Sequence, residues 1–145
     1  MRALRWLFAG YVAGVLALTL WPSLETTAVP GWGEAVLDAL DAVGVHLAFG
    51  TLEALANVAL FVPFGLLLTT LLRAREPGRR RLPVHVAALW AAAAACGLSA
   101  AIETAQRFIP GRVPVLQDVV MNTTGAAVGA AVAAVVLARR ARTHA

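Results

Sequence analysis

The sequence has no lysine, one cysteine, three histidines and only eight acidic residues in 145. The lone Cys96 lies in an alanine-rich apolar run, which excludes an intrachain disulfide. His46, His85 and His144 stand apart from one another and from Cys96, so no metal-ligand spacing arises and no metal site is expected. No cofactor motif is present either, and none is expected to bind. Charged residues make up 14% of the chain and hydrophobic ones 60%. Soluble domains run near a quarter charged and about half apolar. The shortage of charge, with a mean hydropathy of +0.77, excludes an ordinary soluble domain and sets the excess apolar surface against lipid.

All twelve basic residues are arginine, giving a net charge of +4. That balance could suit nucleic acid, but ten of the twelve flank the ends of apolar segments instead of lining one face. This is a membrane-topology pattern, and no nucleic-acid partner is expected. The cluster at 73–81 reads as an orientation signal and a contact for anionic lipid.

Four apolar segments are long enough to cross a bilayer, at about 20 residues each. The first, 4–21, follows Arg2 and Arg5 and precedes Pro22. A cleaved signal peptide is one reading. The long apolar run and the poor small-residue site near Thr27-Ala28 favour a retained helix. Gly10 and Gly14 form a GxxxG spacing, a weak match in so small-residue-rich a chain. Residues 22–53 are more polar. Pro30-Gly31-Trp32-Gly33 reads as a turn, and Val36, Leu37, Leu40 and Val43 then recur at helical spacing. With Glu34, Asp38 and Asp41 on another face, the 33–46 region fits a short amphipathic surface helix. Gly44 and Gly50 read as breaks before the second span, 54–72, which contains Pro63 as a kink point. The third span is 84–105 and the fourth 115–137. Gly65 and the Gly125/Gly129 pair are candidates for close helix packing, with Pro63 beside them. The tryptophans at 6, 21, 32 and 90 suit interface anchoring.

The fold class is therefore all-α, a polytopic bundle of about four transmembrane helices. With the N-terminus inside, ten arginines fall in the cytoplasm and only Arg107 and Arg112 outside. Seven of the eight acids fall outside, Glu76 excepted, so both termini are expected in the cytoplasm. Three parts follow: an N-terminal helix and extracytoplasmic loop (1–51), a transmembrane domain (52–137) and a basic cytoplasmic tail (138–145).

Polar residues enter the spans at one depth on the outer side. Glu103 and Gln106 share a face of the third helix, Asp118 and Asn122 a face of the fourth, and Asn57 enters the second. Arg112 lies in the loop between the last two spans. Each group could merely hydrogen-bond across helices, at about 0.6 kcal/mol per contact. Together they also form a candidate outward-facing ligand pocket. Ser99 lacks a histidine partner and is not expected to be a nucleophile.

The elements Asn57-Val-Ala-Leu-Phe61-Val-Pro63-Phe-Gly65, Glu103-x-x-Gln106, Arg112 and Asp118-x-x-x-Asn122-x-x-Gly125 occur in order. Over residues 52–137 the chain resembles the VanZ-like family of membrane proteins. The resemblance implies a multi-pass protein of a bacterial plasma membrane and, through the founding member, a link to low-level resistance to the glycopeptide teicoplanin. It supplies no reaction, and residues 1–51 carry none of its motifs.

Three functions compete. A non-enzymatic envelope protein would bind a lipid-linked cell-wall precursor or other wall component, or a glycopeptide, in the outer pocket, with Arg112 pairing an anionic headgroup. An intramembrane enzyme would use Glu103 and Asp118 as an acid–base pair on an envelope lipid. A transporter, or an accessory subunit of one, ranks last, because the inner halves of the spans are apolar and no inverted repeat is evident. Membrane lipids are expected partners in every case, and the chain is compatible with oligomers.

Overall fold

The computed structural model describes residues 2–21, 29–44, 46, 48–74, 82–110 and 115–143. Among them every regular element is helical: α1 (Arg2–Thr19), α2 (Val29–Ala42), α3 (Phe49–Arg73), α4 (Val84–Gln106) and α5 (Leu116–Thr143). Three stretches are long and apolar enough to cross a membrane: Phe49–Arg73, Val84–Gln106 and Leu116–Arg140. At 25, 23 and 25 residues and 1.5 Å of rise each, they exceed the roughly 30 Å hydrocarbon core. α1 has 18 residues, begins with Arg2 and carries Arg5, and is not one of the three.

The expected turn at 30–33 and the expected break at Gly50 do not hold. Pro30–Gly33 lie within α2, which starts at Val29 and ends at Ala42 instead of spanning 33–46. Proline is tolerated in a first turn, where its missing N–H would have no intrahelical partner anyway. Gly50 likewise stands in the first turn of α3, not at a break, whereas Gly44 has φ 82° and does end the α2 region. Val36, Leu37 and Leu40 are half-buried on α2 while Asp38 and Asp41 are exposed. α2 is therefore amphipathic, and it packs lightly on α3.

The contacts fix the helix directions. The Phe8 ring packs at a tilt with its centroid 5.3 Å from that of Phe64, and Tyr11 donates its hydroxyl to the Leu60 carbonyl, so α1 ascends as α3 descends. Asn57 meets Asp118, while Val58 and Val62 meet Gly125 and Gly129, so α3 and α5 run parallel. Ser99 meets Asn122 and Glu103 meets Val115, so α4 opposes α5. One end of the bundle thus gathers the start of α1 with the ends of α3 and α5, bearing Arg2, Arg5, Arg73, Arg139 and Arg140. The other end gathers the C-termini of α1 and α4 with the N-termini of α3 and α5.

The α3–α5 pair forms the most extensive interface. A Cβ on Gly65 would sit 1.8 Å from the Ala126 carbonyl oxygen. On Gly125 it would sit 2.1 Å from the Val58 oxygen, and on Gly129 1.9 Å from the Val62 oxygen. Only glycine lets the backbones approach this far, which supplies van der Waals contact where lipid offers no hydrophobic drive. Pro63 is exposed and α3 continues through it, although its ring withholds one backbone donor. Gly10 and Gly14 of α1 face open space, with nothing within 4 Å of an added Cβ.

On α4 the fully buried positions Ala87, Ala91, Ala95 and Ser99 recur every four residues. Small side chains on that stripe let α4 seat against its neighbours, and the stripe runs on into Glu103. The outward faces carry Leu55, Leu89, Val120, Val128, Val132 and Val135, all exposed as lipid contact requires. Trp6 and Trp90 are exposed near the arginine-rich end and Trp21 near the opposite end. The side chain of Trp32 lies outside those described.

Candidate functional site

The end opposite the arginines holds every described member of the polar set. Asn57, in the third turn of α3, donates from Nδ2 to Asp118 Oδ1 at 2.9 Å. Asp118 stands in the first turn of α5, where a carboxylate also complements the positive end of the helix dipole. Glu103 is 8% exposed, and its Oε2 accepts the backbone N–H of Val115 at 2.9 Å. That N–H stands just before α5, among groups that a helix start leaves unpaired. The carboxylate on α4 therefore anchors the beginning of α5.

Gln106 donates from Nε2 to the carbonyl of Thr19 at 2.8 Å. Thr19 is the last residue of α1, so this side chain satisfies one of the carbonyls orphaned at the helix end. One turn deeper, Asn122 donates from Nδ2 to Ser99 Oγ at 2.8 Å, with both residues buried. The Asn122 Oδ1 is buried without a hydrogen-bond partner among the described residues.

The structure thus brings Asn57, Glu103, Gln106, Asp118 and Asn122 to one end, joined pairwise across helices. Arg112 lies outside the described residues. Glu103 and Asp118 are both engaged as acceptors, and each makes further interactions. Helix tethering is accordingly one role of this layer.

A cavity of about 200 Å³ opens beside it, between the end of α4 and the start of α5. Glu103, Thr104 and Arg107 give it a polar side, and Val115, Leu116 and Val119 an apolar one. Thr104 already donates to the Ala100 carbonyl at 2.7 Å, so the charged groups dominate the polar side. Arg107 is exposed and caps α4 at its C-terminus, where a cation suits the helix dipole.

Arg107 and Ser99 belong to this end as well, although the sequence reading places neither in the polar layer. Both signals were legible as helical spacing. Ser99, Glu103 and Arg107 recur every four residues on α4, one stripe that ends at the cavity. Thr19 could not have been found, because its carbonyl is backbone and carries no sequence mark. A second cleft, of about 520 Å³, lies at the arginine-rich end beside Arg2, Arg5, Trp6 and Ala9 and contains none of the polar set.

Residues 8–137 match the sequence model of the VanZ/LLP1 family. The matched stretch takes in α1 and α2 as well as the three long helices. No curated protein and no solved structure matches the chain.

Proposed function

The chain belongs to the VanZ/LLP1 family, and from that premise we propose that it is an envelope-binding protein of a bacterial plasma membrane. It would bind a lipid-linked or cell-wall component in an outward-facing polar pocket, and so affect glycopeptide (teicoplanin) susceptibility. The observation that carries this reading is the placement of a buried carboxylate, Glu103, only 8% exposed, on the wall of a cavity at the end remote from the arginines. Burying a charge is costly, so a carboxylate kept beside a cavity favours a role beyond packing.

The reading includes a four-span topology with both termini cytoplasmic. α1 supports it by running antiparallel to α3 from Phe8 to Tyr11 and meeting α4 again at Thr19. The arginines at the opposite end support the orientation, and the 520 Å³ cleft there suits anionic inner-leaflet headgroups. The cavity near Glu103 is smaller than the roughly 300–1,000 Å³ that encloses a drug-sized ligand. It therefore fits a headgroup and not a whole glycopeptide, and an effect on teicoplanin would act through the envelope component.

The test is to express Arg112→Ala, Asn57→Ala and Asp118→Ala at native membrane abundance and measure teicoplanin susceptibility with retention of a labelled envelope precursor. Loss of either readout at full abundance is expected. Native behaviour in all three would reduce the polar layer to helix packing. The acid–base reading of Glu103 and Asp118 stands second, because both carboxylates sit at the same end. It gains no nucleophile from Ser99, which is fully buried and bonded to Asn122. Conversion of labelled envelope lipids by the purified protein would promote it.

A further inference from the structure

We propose that Tyr11 of α1 clasps α3 across Pro63 and so positions Asn57 against Asp118 in the polar layer. This rests on the outward-facing reading above and names a residue that sets the geometry of that site. Tyr11 is the only tyrosine of the chain and stands near the middle of α1. Tyrosines that anchor a membrane helix sit at the interfaces instead. A hydroxyl at mid-depth is costly unless it is bonded, so its partners indicate its work.

Those partners straddle the proline. The hydroxyl donates to the carbonyl of Leu60, and the backbone of Phe64 hydrogen-bonds the same oxygen. Leu60 lies before Pro63 and Phe64 after it. Proline has no N–H, so the carbonyl of Ala59 loses its donor within α3 and the helix lacks one rung there. Sharp bends in helices form at such points. Tyr11 thus fastens one side of the weak point to the other, and Phe8, packed on Phe64, holds α1 at this level.

α5 braces a different face of α3. Val58 and Val62 press on Gly125 and Gly129, and Gly65 on Ala126. Close contacts of this kind resist approach, but without directional bonds they do little against tilting along the seam. The Tyr11 hydroxyl supplies a directional restraint. The lever beyond it is long enough to matter, because Asn57 stands six residues before Pro63, about 9 Å along the axis. A bend of about 20°, the onset of a sharp kink, would move Asn57 by about 3 Å. The 2.9 Å bond from Asn57 to Asp118 would not survive that shift. Asp118 makes further interactions of its own, so a shift of α3 separates the pair without displacing the carboxylate.

The test measures cross-linking of Asn57→Cys to Asp118→Cys by a short bifunctional thiol reagent, in the full chain with Cys96→Ser, in detergent. Tyr11→Phe keeps the ring, removes the hydroxyl and should slow cross-linking about threefold, the scale of one interhelical bond. Leu16→Ala also thins the packing of α1 on the core and should leave the rate unchanged. Pro63→Ala, at an exposed position, restores the missing N–H. In that background Tyr11→Phe should have no effect, because the restored rung replaces the clasp.

Cross-linking unchanged by Tyr11→Phe, or slowed equally with and without Pro63→Ala, overturns the proposal. Thermal unfolding is followed for each variant. Should Tyr11→Phe lose the fold, recovery on adding Pro63→Ala supports the clasp, and failure to recover overturns it. Retention of a fluorescent polyprenyl-diphosphate-linked sugar is then measured on Tyr11→Phe with Asn57 and Asp118 intact. Lost retention with slowed cross-linking supports clasp and pocket together. Native retention with slowed cross-linking leaves the clasp standing and counts against the outward-pocket reading.

Discussion

Alanine at Gly125 should force α5 away from α3 and disturb the polar layer. The added Cβ would lie 2.1 Å from the Val58 carbonyl oxygen, and real contacts essentially never fall under 3.0 Å. The backbones must therefore part by about 0.9 Å. Val58 is the neighbour of Asn57, whose bond to Asp118 is 2.9 Å long. A similar displacement there would carry that pair past the limit of a hydrogen bond. Overpacking typically costs about 1–3 kcal/mol, and a lost interhelical bond adds about 0.6 kcal/mol in a membrane protein. The assay is unfolding by denaturing detergent of protein purified in mixed micelles, read by circular dichroism. Gly10→Ala and Gly14→Ala are the controls, because nothing lies within 4 Å of either position, and they should leave stability unchanged or raise it by up to about 1 kcal/mol, alanine's advantage inside a helix. A Gly125→Ala protein as stable as the native one would refute the reasoning. So would an equal loss at Gly10.

Ser99→Ala should destabilise by about 1–3 kcal/mol, because it strands the Asn122 amide in a buried site. Adding Asn122→Leu should recover part of that loss in a thermal double-mutant cycle. Gln106→Glu replaces a donor with an acceptor beside the Thr19 carbonyl, so the end of α1 should show faster amide exchange at Leu20 and Trp21 while the centre of α3 keeps its protection. Topology is open to a direct reading. In a Cys96→Ser background, cysteine at Phe108 should react with an impermeant maleimide in intact cells and cysteine at Leu82 should not. The reverse pattern would invert the bundle.

Hydropathy revealed the three long helices because a bilayer imposes one coarse rule, a long apolar run without charge. Local punctuation was less reliable. Pro30 suggests a turn and Gly50 a break, yet both stand in first turns, where a helix makes few demands on its N–H groups. The polar layer was legible for a different reason. Asn57 and Asn122 are costly at their depth, and Glu103, Gln106 and Asp118 fall in the same layer, so position marks the set. What spacing could not reveal was partnership. The two GxxxG pairs look alike in sequence, but Gly125 and Gly129 press on carbonyls of α3 while Gly10 and Gly14 face open space. Ser99, without a histidine partner, offers no nucleophile, and its work is to accept a bond from Asn122. Such pairings depend on which helices become neighbours, and a single sequence does not encode that order locally.

The tightest interface joins α3 to α5, two helices that run parallel and are separated in the chain by α4. Parallel neighbours cannot form a hairpin, so this contact has to wait until α4 has crossed back and α5 has entered the membrane. During synthesis α3 therefore spends an interval with its Gly65 face and Asn57 uncovered. A chaperone or insertase that shields small-residue helices would act in that interval, and a nascent chain truncated before Leu116 is the species it should capture. The close-packed seam that stabilises the finished bundle is, during biogenesis, its most vulnerable surface.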